Sequence, residues 1–229
     1  MRYNTVKNQI GENMKILKPQ KIFFATLNKC DNLLEETNKS DEVNNIELEE
    51  YRTENIELND ITIETSVICY TDIISSNLEK NSFIDVEFKN CNFSNTSFEG
   101  CSFIRCEFNN CKLTGCNFID SRMYNVSFTE TNMNYINLSM ASIENVIFNN
   151  AGLRNSSFQE NKLKNIIFEQ ADLIQAQFFK TSLKGIDLSN SNIEGIVISL
   201  DDIKGAVINE LQAVDLISLI GVKIKLTNF

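Results

Sequence analysis

The chain has 229 residues with 31 Asp and Glu against 21 Lys and Arg, a formal net charge of -10, and it contains one Pro, no Trp and no His. The missing histidine removes the commonest general acid/base and the commonest metal ligand, and the negative charge disfavours nucleic acid and anionic bilayers as direct partners. No opening stretch combines a basic flank, an apolar run and a small-residue cleavage site, and no apolar run approaches the ~20 residues of a bilayer span, so the expectation is a soluble, cytoplasmic protein without membrane contact.

In chain order, residues 1–45 form an N-terminal cap or irregular segment. Lys21 to Leu27 predicts a strand, and the polar stretch from Leu33 to Asn45 a loop. From Leu58 a different order begins. Steps of five residues reach Leu58, Ile63, Ile68, Ile73, Leu78, Phe83, Phe88, Phe93 and so on to Ile208, and all 31 sites are large and apolar, without insertion or deletion. Two residues before the large site the side chain is usually small or β-branched, as at Val86, Cys91, Thr96, Cys101 and Cys106.

A period of five suits neither simple element. On a helix it leaves successive large residues about 140° apart, and on a straight strand it flips them from face to face. The chain therefore turns between units, with the small and large sites facing inward and the remaining pair making a corner. At the fifth position of the 30 units ending at residues 60 to 205, Asn, Gly or Asp occurs 17 times, and five of the eight glycines sit there. These residues tolerate the positive φ that a tight corner demands. The fold class is an all-β solenoid.

The run Cys91-Asn92-Phe93-Ser94-Asn95-Thr96-Ser97-Phe98-Glu99-Gly100 resembles the repeat of the pentapeptide-repeat proteins, and the resemblance extends over residues 46–208. It implies a right-handed quadrilateral parallel β-helix with four pentapeptides per coil, hence about eight coils here. Residues 20 apart would then stack, giving an aromatic ladder of Phe88, Phe108, Phe128, Phe148 and Phe168 and a second of Leu78, Phe98, Phe118, Leu138, Phe158 and Phe178.

Residues 209–229 predict a short C-terminal α-helix and tail. Asn209 can cap a helix from Glu210 to Ile220 that Gly221 ends, with Ala213, Leu216, Ile217 and Ile220 on one face. This segment resembles the module through which Qnr-type members dimerise. The resemblance implies a homodimer held through Leu211 and Leu219, against the plainer reading of a cap that seals the last coil.

No site for catalysis, cofactor or metal is expected. Cys101, Cys106, Cys111 and Cys116 would line one coil, but at the inward small position and without the close pairing of a zinc site. Cys91 and Cys111 would stack at a spacing compatible with a disulfide, yet an odd count of seven Cys fits reduced thiols better. No nucleophile has a base beside it, so the protein is read as no enzyme.

Charge is the remaining signal. Residues 41–100 hold 14 acidic and 3 basic side chains, a net of -11, whereas residues 101–208 hold 11 and 9, a net of -2. On a 20-residue coil Glu57, Asp60, Glu79, Glu99, Asp120 and Glu160 align on one wall, and Glu87, Glu107, Glu130, Glu169 and Asp187 on the opposite one. A third wall carries Arg105, Arg122, Lys162, Lys164 and Lys184. The resemblance implies a specific role for the acidic walls, because MfpA and Qnr proteins mimic duplex DNA, bind type II topoisomerases (DNA gyrase or topoisomerase IV) and alter quinolone sensitivity. The unbroken register lacks the protruding loops of many Qnr proteins, which makes MfpA the nearer analogy. The other reading is a structural protein–protein interaction scaffold with an unrelated partner.

Overall fold

In the computed structural model, which describes residues 26–223, every fifth residue from Asn45 to Gly185 occupies the left-handed region, with φ between 48° and 81°. The corner is thus a backbone requirement and not a residue preference. Asn, Asp and Gly meet it at little cost, but Thr65, Tyr70, Arg105, Tyr135 and Met140 adopt it too, against the roughly 1–2 kcal/mol that a Cβ exacts there. Gly115 answers a further demand. A Cβ at that position would come within 2.5 Å of Asn95 Oδ1 in the coil before.

Between corners the backbone alternates, sending each large residue and the small residue two before it inward. Four such segments close one coil. Wall A is centred on Leu58, Leu78, Phe98 and their successors at intervals of 20, wall B on Ile63 and Phe83, wall C on Ile68 and Phe88, and wall D on Ile73 and Phe93. Strands β5 (Thr62–Cys69), β7 (Ser82–Lys89), β10 (Arg122–Thr129), β11 (Ser142–Asn149) and β12 (Lys162–Glu169) run through walls B and C without a break. Walls D and A instead end in tight turns, such as those in which Thr96 N–H donates to Phe93 O (3.0 Å) and Cys101 N–H to Phe98 O (3.1 Å). All pairing is parallel, and the register from β5 onward is 20 residues, as in Phe128↔Phe148↔Phe168. The result is a solenoid of about seven turns, close to the number of coils the repeats imply.

The core is the interior column. All 31 five-step sites are buried except Leu163, Ile203 and Ile208, which are partly so. Phe88, Phe108, Phe128, Phe148 and Phe168 stack with ring centroids 4.4, 4.9, 5.3 and 5.1 Å apart. Stacking within walls and edge-to-face contacts between walls, such as Phe83–Phe88 at 5.6 Å, fill the interior.

The two ends depart from the sequence reading in instructive ways. The predicted strand at Lys21 to Leu27 falls mostly outside the described residues, and β1 occupies Asn28–Cys30, paired with β3 (Ile46–Glu49). The expected loop from Leu33 to Asn45 contains a helix, α1 (Leu33–Thr37), and a strand, β2 (Glu42–Asn44), that pairs with β5. Asn32 Oδ1 caps α1 by accepting from Leu34 N–H (3.1 Å), and Leu33 is buried at the mouth of the first coil. Val43 continues the five-residue register upstream, so the polar surroundings concealed one more rung.

At the other end a single turn, α2 (Leu200–Ile203), replaces a corner, and α3 (Glu210–Leu216) starts at the expected cap, Asn209. It is shorter than predicted. After Leu216 the chain tightens into a 3-10 turn, Ile217–Ile220, before Gly221 at φ 74°. The face that seals the tower agrees in part, since Leu216 packs against the interior column as expected. Ala213 is exposed, whereas Gln212 is buried, its Nε2 donating to Leu188 O (2.8 Å) and Ser191 O (2.7 Å). A polar plug suits an open solenoid end, whose last coil leaves carbonyls without a following coil.

Candidate partner-binding walls

Each outward column is set by the 20-residue register. On wall A, Glu57 heads the column Asn77, Ser97, Asn117, Asn137, Ser157, Gln177 and Val197, linked rung to rung by parallel bridges. Glu79 and Glu99 lie next to each other in the neighbouring column, and Asp60 and Asp120 occupy corners. Glu79 Oε1 accepts from Ser97 Oγ (3.0 Å) and Glu99 Oε2 from Asn117 Nδ2 (3.1 Å), which points both carboxylates along the wall. None of Glu57, Asp60, Glu79, Glu99 and Asp120 forms an ion pair among the described residues. Glu160, placed on the same wall, is neutralised by Lys180 at 2.8 Å.

Wall C is acidic but less open. Glu87 and Glu107 stand in register on adjacent strands, β7 and β9 (Glu107–Asn109), and Lys89 pairs with Glu87. Glu130 is an exposed corner, Glu169 Oε1 accepts from Asn190 Nδ2 (2.6 Å), and Asp187 is half-buried. Near the start of the tower Leu27 packs over the outward side chains of Val67 and Cys69, which become buried. The N-terminal approach to β1 therefore covers part of this wall.

Several of the basic side chains are held in local pairs, whereas Arg122, Lys162 and Lys184 on wall B form no ion pair among the described residues. On wall B, Arg105 grips the buried Asp85 in a two-pronged contact of 2.6 and 2.7 Å, and Lys164 meets Glu144 at 2.6 Å. Arg154 on wall D binds Asp172.

The cysteines have a structural duty that the sequence reading missed. An inward thiol or hydroxyl at the small site can donate to the carbonyl of the large residue 23 positions earlier. Cys101 does so to Leu78 O (2.9 Å), Cys106 to Phe83 O (3.3 Å), Cys116 to Phe93 O (2.8 Å), and Thr96, Thr131 and Thr181 act alike. The recurrence of Cys, Thr and Ser at that site was the available signal. Burial pushes the thiols of Cys101, Cys106 and Cys116 up to about 12. That of Cys91 also rises, through its hydrogen bond with Cys111 and through burial. All seven are free and buried, and no metal-binding cluster of three or more ligating side chains occurs among the described residues. No helix there is long and apolar enough to cross a membrane.

At the other pole, Leu211 and Leu219 are 80% and 36% exposed, and Val214 and Val222 are exposed beside them. Both leucines thus face outward from the cap.

Residues 81–158 and 101–178 match the family described as pentapeptide repeat region, and residues 162–195 match pentapeptide repeats of eight copies, so that residues 81–195, half of the chain, are covered. No curated protein matches. Among solved structures, a trypsin-treated QnrB1, a plasmid-mediated fluoroquinolone resistance protein, is 18% identical with a TM-score of 0.38, covering 80% of this chain and 99% of that one. HetL from the cyanobacterium Nostoc, a pentapeptide repeat protein involved in heterocyst differentiation regulation, is 16% identical over 76% of this chain and 92% of its own, with a TM-score of 0.29. A pentapeptide repeat protein from the Arabidopsis thaliana thylakoid lumen is 18% identical over 44% and 63%, with a TM-score of 0.31.

Proposed function

The chain belongs to the pentapeptide-repeat proteins, and from that premise we propose that it is a non-enzymatic, cytoplasmic binding protein whose acidic walls engage a basic protein surface as a partial mimic of duplex DNA. The observation that carries this reading is the row of carboxylates on wall A, open to solvent and without ion-pair partners. A rigid rod bearing them offers a basic groove the sign and the shape of a nucleic-acid backbone. By the resemblance noted above, the partner class is a type II topoisomerase, DNA gyrase or topoisomerase IV, and the consequence an altered quinolone sensitivity. The thiols that donate to the interior carbonyls are needed reduced, which supports the cytoplasmic placement.

The mimicry is incomplete in magnitude. Residues 46–208 carry 23 acidic and 12 basic side chains, a net of -11, whereas duplex of the same ~36 Å length carries about 21 phosphate charges. That shortfall favours a second reading, a scaffold that recruits an unrelated partner.

A supercoiling assay with purified gyrase separates the two. The first reading expects inhibition or protection at micromolar protein, abolished by the triple substitution Glu79→Lys, Glu99→Lys and Asp120→Lys. The absence of inhibition, protection and binding alike ends it, and partner capture that survives the triple substitution belongs to the scaffold. Dimerisation through α3 is a separate part of the proposal. Light scattering should report a dimer that Leu219→Asp converts to monomer, and a monomeric wild type removes the two-tower rod.

A further inference from the structure

We infer that wall A is a bipartite docking surface for a heterologous protein that presents a basic patch beside an apolar one. This rests on the reading of the tower as a protein-binding module and goes beyond it, because an apolar anchor has no counterpart in nucleic-acid mimicry.

The wall changes character at its midpoint. In its first four rungs it carries Glu57, Asp60, Glu79, Glu99 and Asp120 against one cation, Lys80. In the last four the single carboxylate, Glu160, is cancelled by Lys180. There, beside that exposed ion pair, the exposed large apolar side chains are Met140, Phe179, Val197 and Leu200, each 52–54% accessible, with Tyr135 at the bordering corner 63% accessible. Elsewhere on the tower, among the described residues, only Tyr70 and Tyr124 are large, apolar and exposed, one on wall C and one on wall B. The clustering on one wall is therefore specific. Tyr135 and Met140 hold left-handed corners at φ 61°, a conformation that Asn or Gly would reach with less strain.

Charge decides the occupant. A second copy is mismatched on this wall in either sense: aligned in parallel it sets carboxylate against carboxylate, and antiparallel it sets carboxylate against apolar surface. Nucleic acid and anionic lipid are repelled by the acidic half. A protein with Lys or Arg facing the first rungs and an apolar side chain or cleft facing Phe179, Val197 and Leu200 satisfies both halves. Four rungs separate Glu99 from Phe179, roughly 19 Å at ~4.8 Å per rung.

Fluorescence anisotropy on the full chain tests this with two synthetic peptides. One is a short Lys block, and the other joins that block through a Gly-Ser spacer of about six residues, reaching roughly 20 Å, to a block of Leu and Phe. The bipartite peptide should bind roughly ten- to a hundredfold tighter than the Lys block, the gain expected from covering two half-exposed large side chains. Phe179→Ser with Leu200→Ser should erase the gain and leave the Lys block unaffected. Glu79→Lys with Glu99→Lys should weaken both peptides, and Glu107→Lys with Glu130→Lys on wall C neither. All these sites project outward, and circular dichroism melts check that each variant stays folded. Equal binding of the two peptides, indifference to the apolar pair, or dependence on wall C alone overturns the inference, as does a dimer that the apolar substitutions dissociate. No topoisomerase enters the assay, so a bipartite gain alongside a negative supercoiling result discards only the topoisomerase reading. A positive supercoiling result with no bipartite gain discards only this one.

Discussion

Replacing Arg105 by Asn should destabilise the tower, and adding Asp85→Asn to the same chain should restore most of the loss. Asp85 is fully buried at a left-handed corner, φ 55°, and its carboxylate meets Arg105 at 2.6 and 2.7 Å from the corner one coil later. Removing one member of a buried pair costs about 3–5 kcal/mol, and because the Arg105 side chain is 27% exposed the expected loss is nearer 2–3 kcal/mol. The double substitution leaves no buried charge. It also places two more amides in a column that already holds Asn125, Asn145 and Asn165, where Asn165 Nδ2 donates to Asn145 Oδ1 (2.9 Å). Its stability should fall within about 1 kcal/mol of the wild type, with a coupling energy of about 2 kcal/mol in the double-mutant cycle. Because a solenoid need not unfold in one step, the measurement is amide exchange at residues 82–89 and 122–129 beside urea melts. A double variant no more stable than Arg105→Asn alone refutes the argument, since the ion pair would then act through packing and not through charge compensation.

The inward small site supplies a contrasting pair. Ser121 Oγ is buried without a hydrogen-bond partner, so Ser121→Ala should leave stability unchanged or raise it by up to about 1 kcal/mol, whereas Thr181→Ala, which removes a bond to Phe158 O, should lower it by about 1–2 kcal/mol; thermal melts compare them. Gln212→Leu should strip two interior carbonyls of a donor and break the capping box with Asn209, speeding amide exchange in residues 210–216 while residues 122–169 keep their protection. The thiols give a pH dependence. Cys69 is pushed up to about 11 and Cys101, Cys106 and Cys116 to about 12 from an ordinary value of 9.0, so above pH 9 the unfolded chain releases protons that the folded one keeps. Their contribution to stability is therefore complete below pH 9 and is lost as pH rises from there toward 12; melts in which all four are replaced by Ala should fall less steeply over that range, and alkylation of the native protein at pH 8 should be slow.

The interior was legible in the sequence because one constraint repeats. Five-residue spacing admits only a chain that turns after every unit, and the 20-residue register then dictates that Phe88 stacks on Phe108 and Glu79 on Glu99. What escaped was of three kinds. Corner residues such as Tyr135 and Met140 contradict the local preference for Asn and Gly, and only closure of the coil shows that they share the same backbone. At the ends the repeat no longer supplies the next rung, so the chain uses individual solutions: Leu33 as a lid, Gln212 as a plug, Leu27 across wall C. Periodicity carries no information about such single residues. The third kind bears on function. Counting charge by wall made walls A and C look equivalent, since both gather carboxylates. Their difference lies in what shares the surface with the charges: Lys89 and Leu27 on one, Met140, Phe179, Val197 and Leu200 on the other. A tower whose four walls obey the same internal rule can still distinguish them by side chains the rule leaves free, and those free positions are where recognition by a partner would be written.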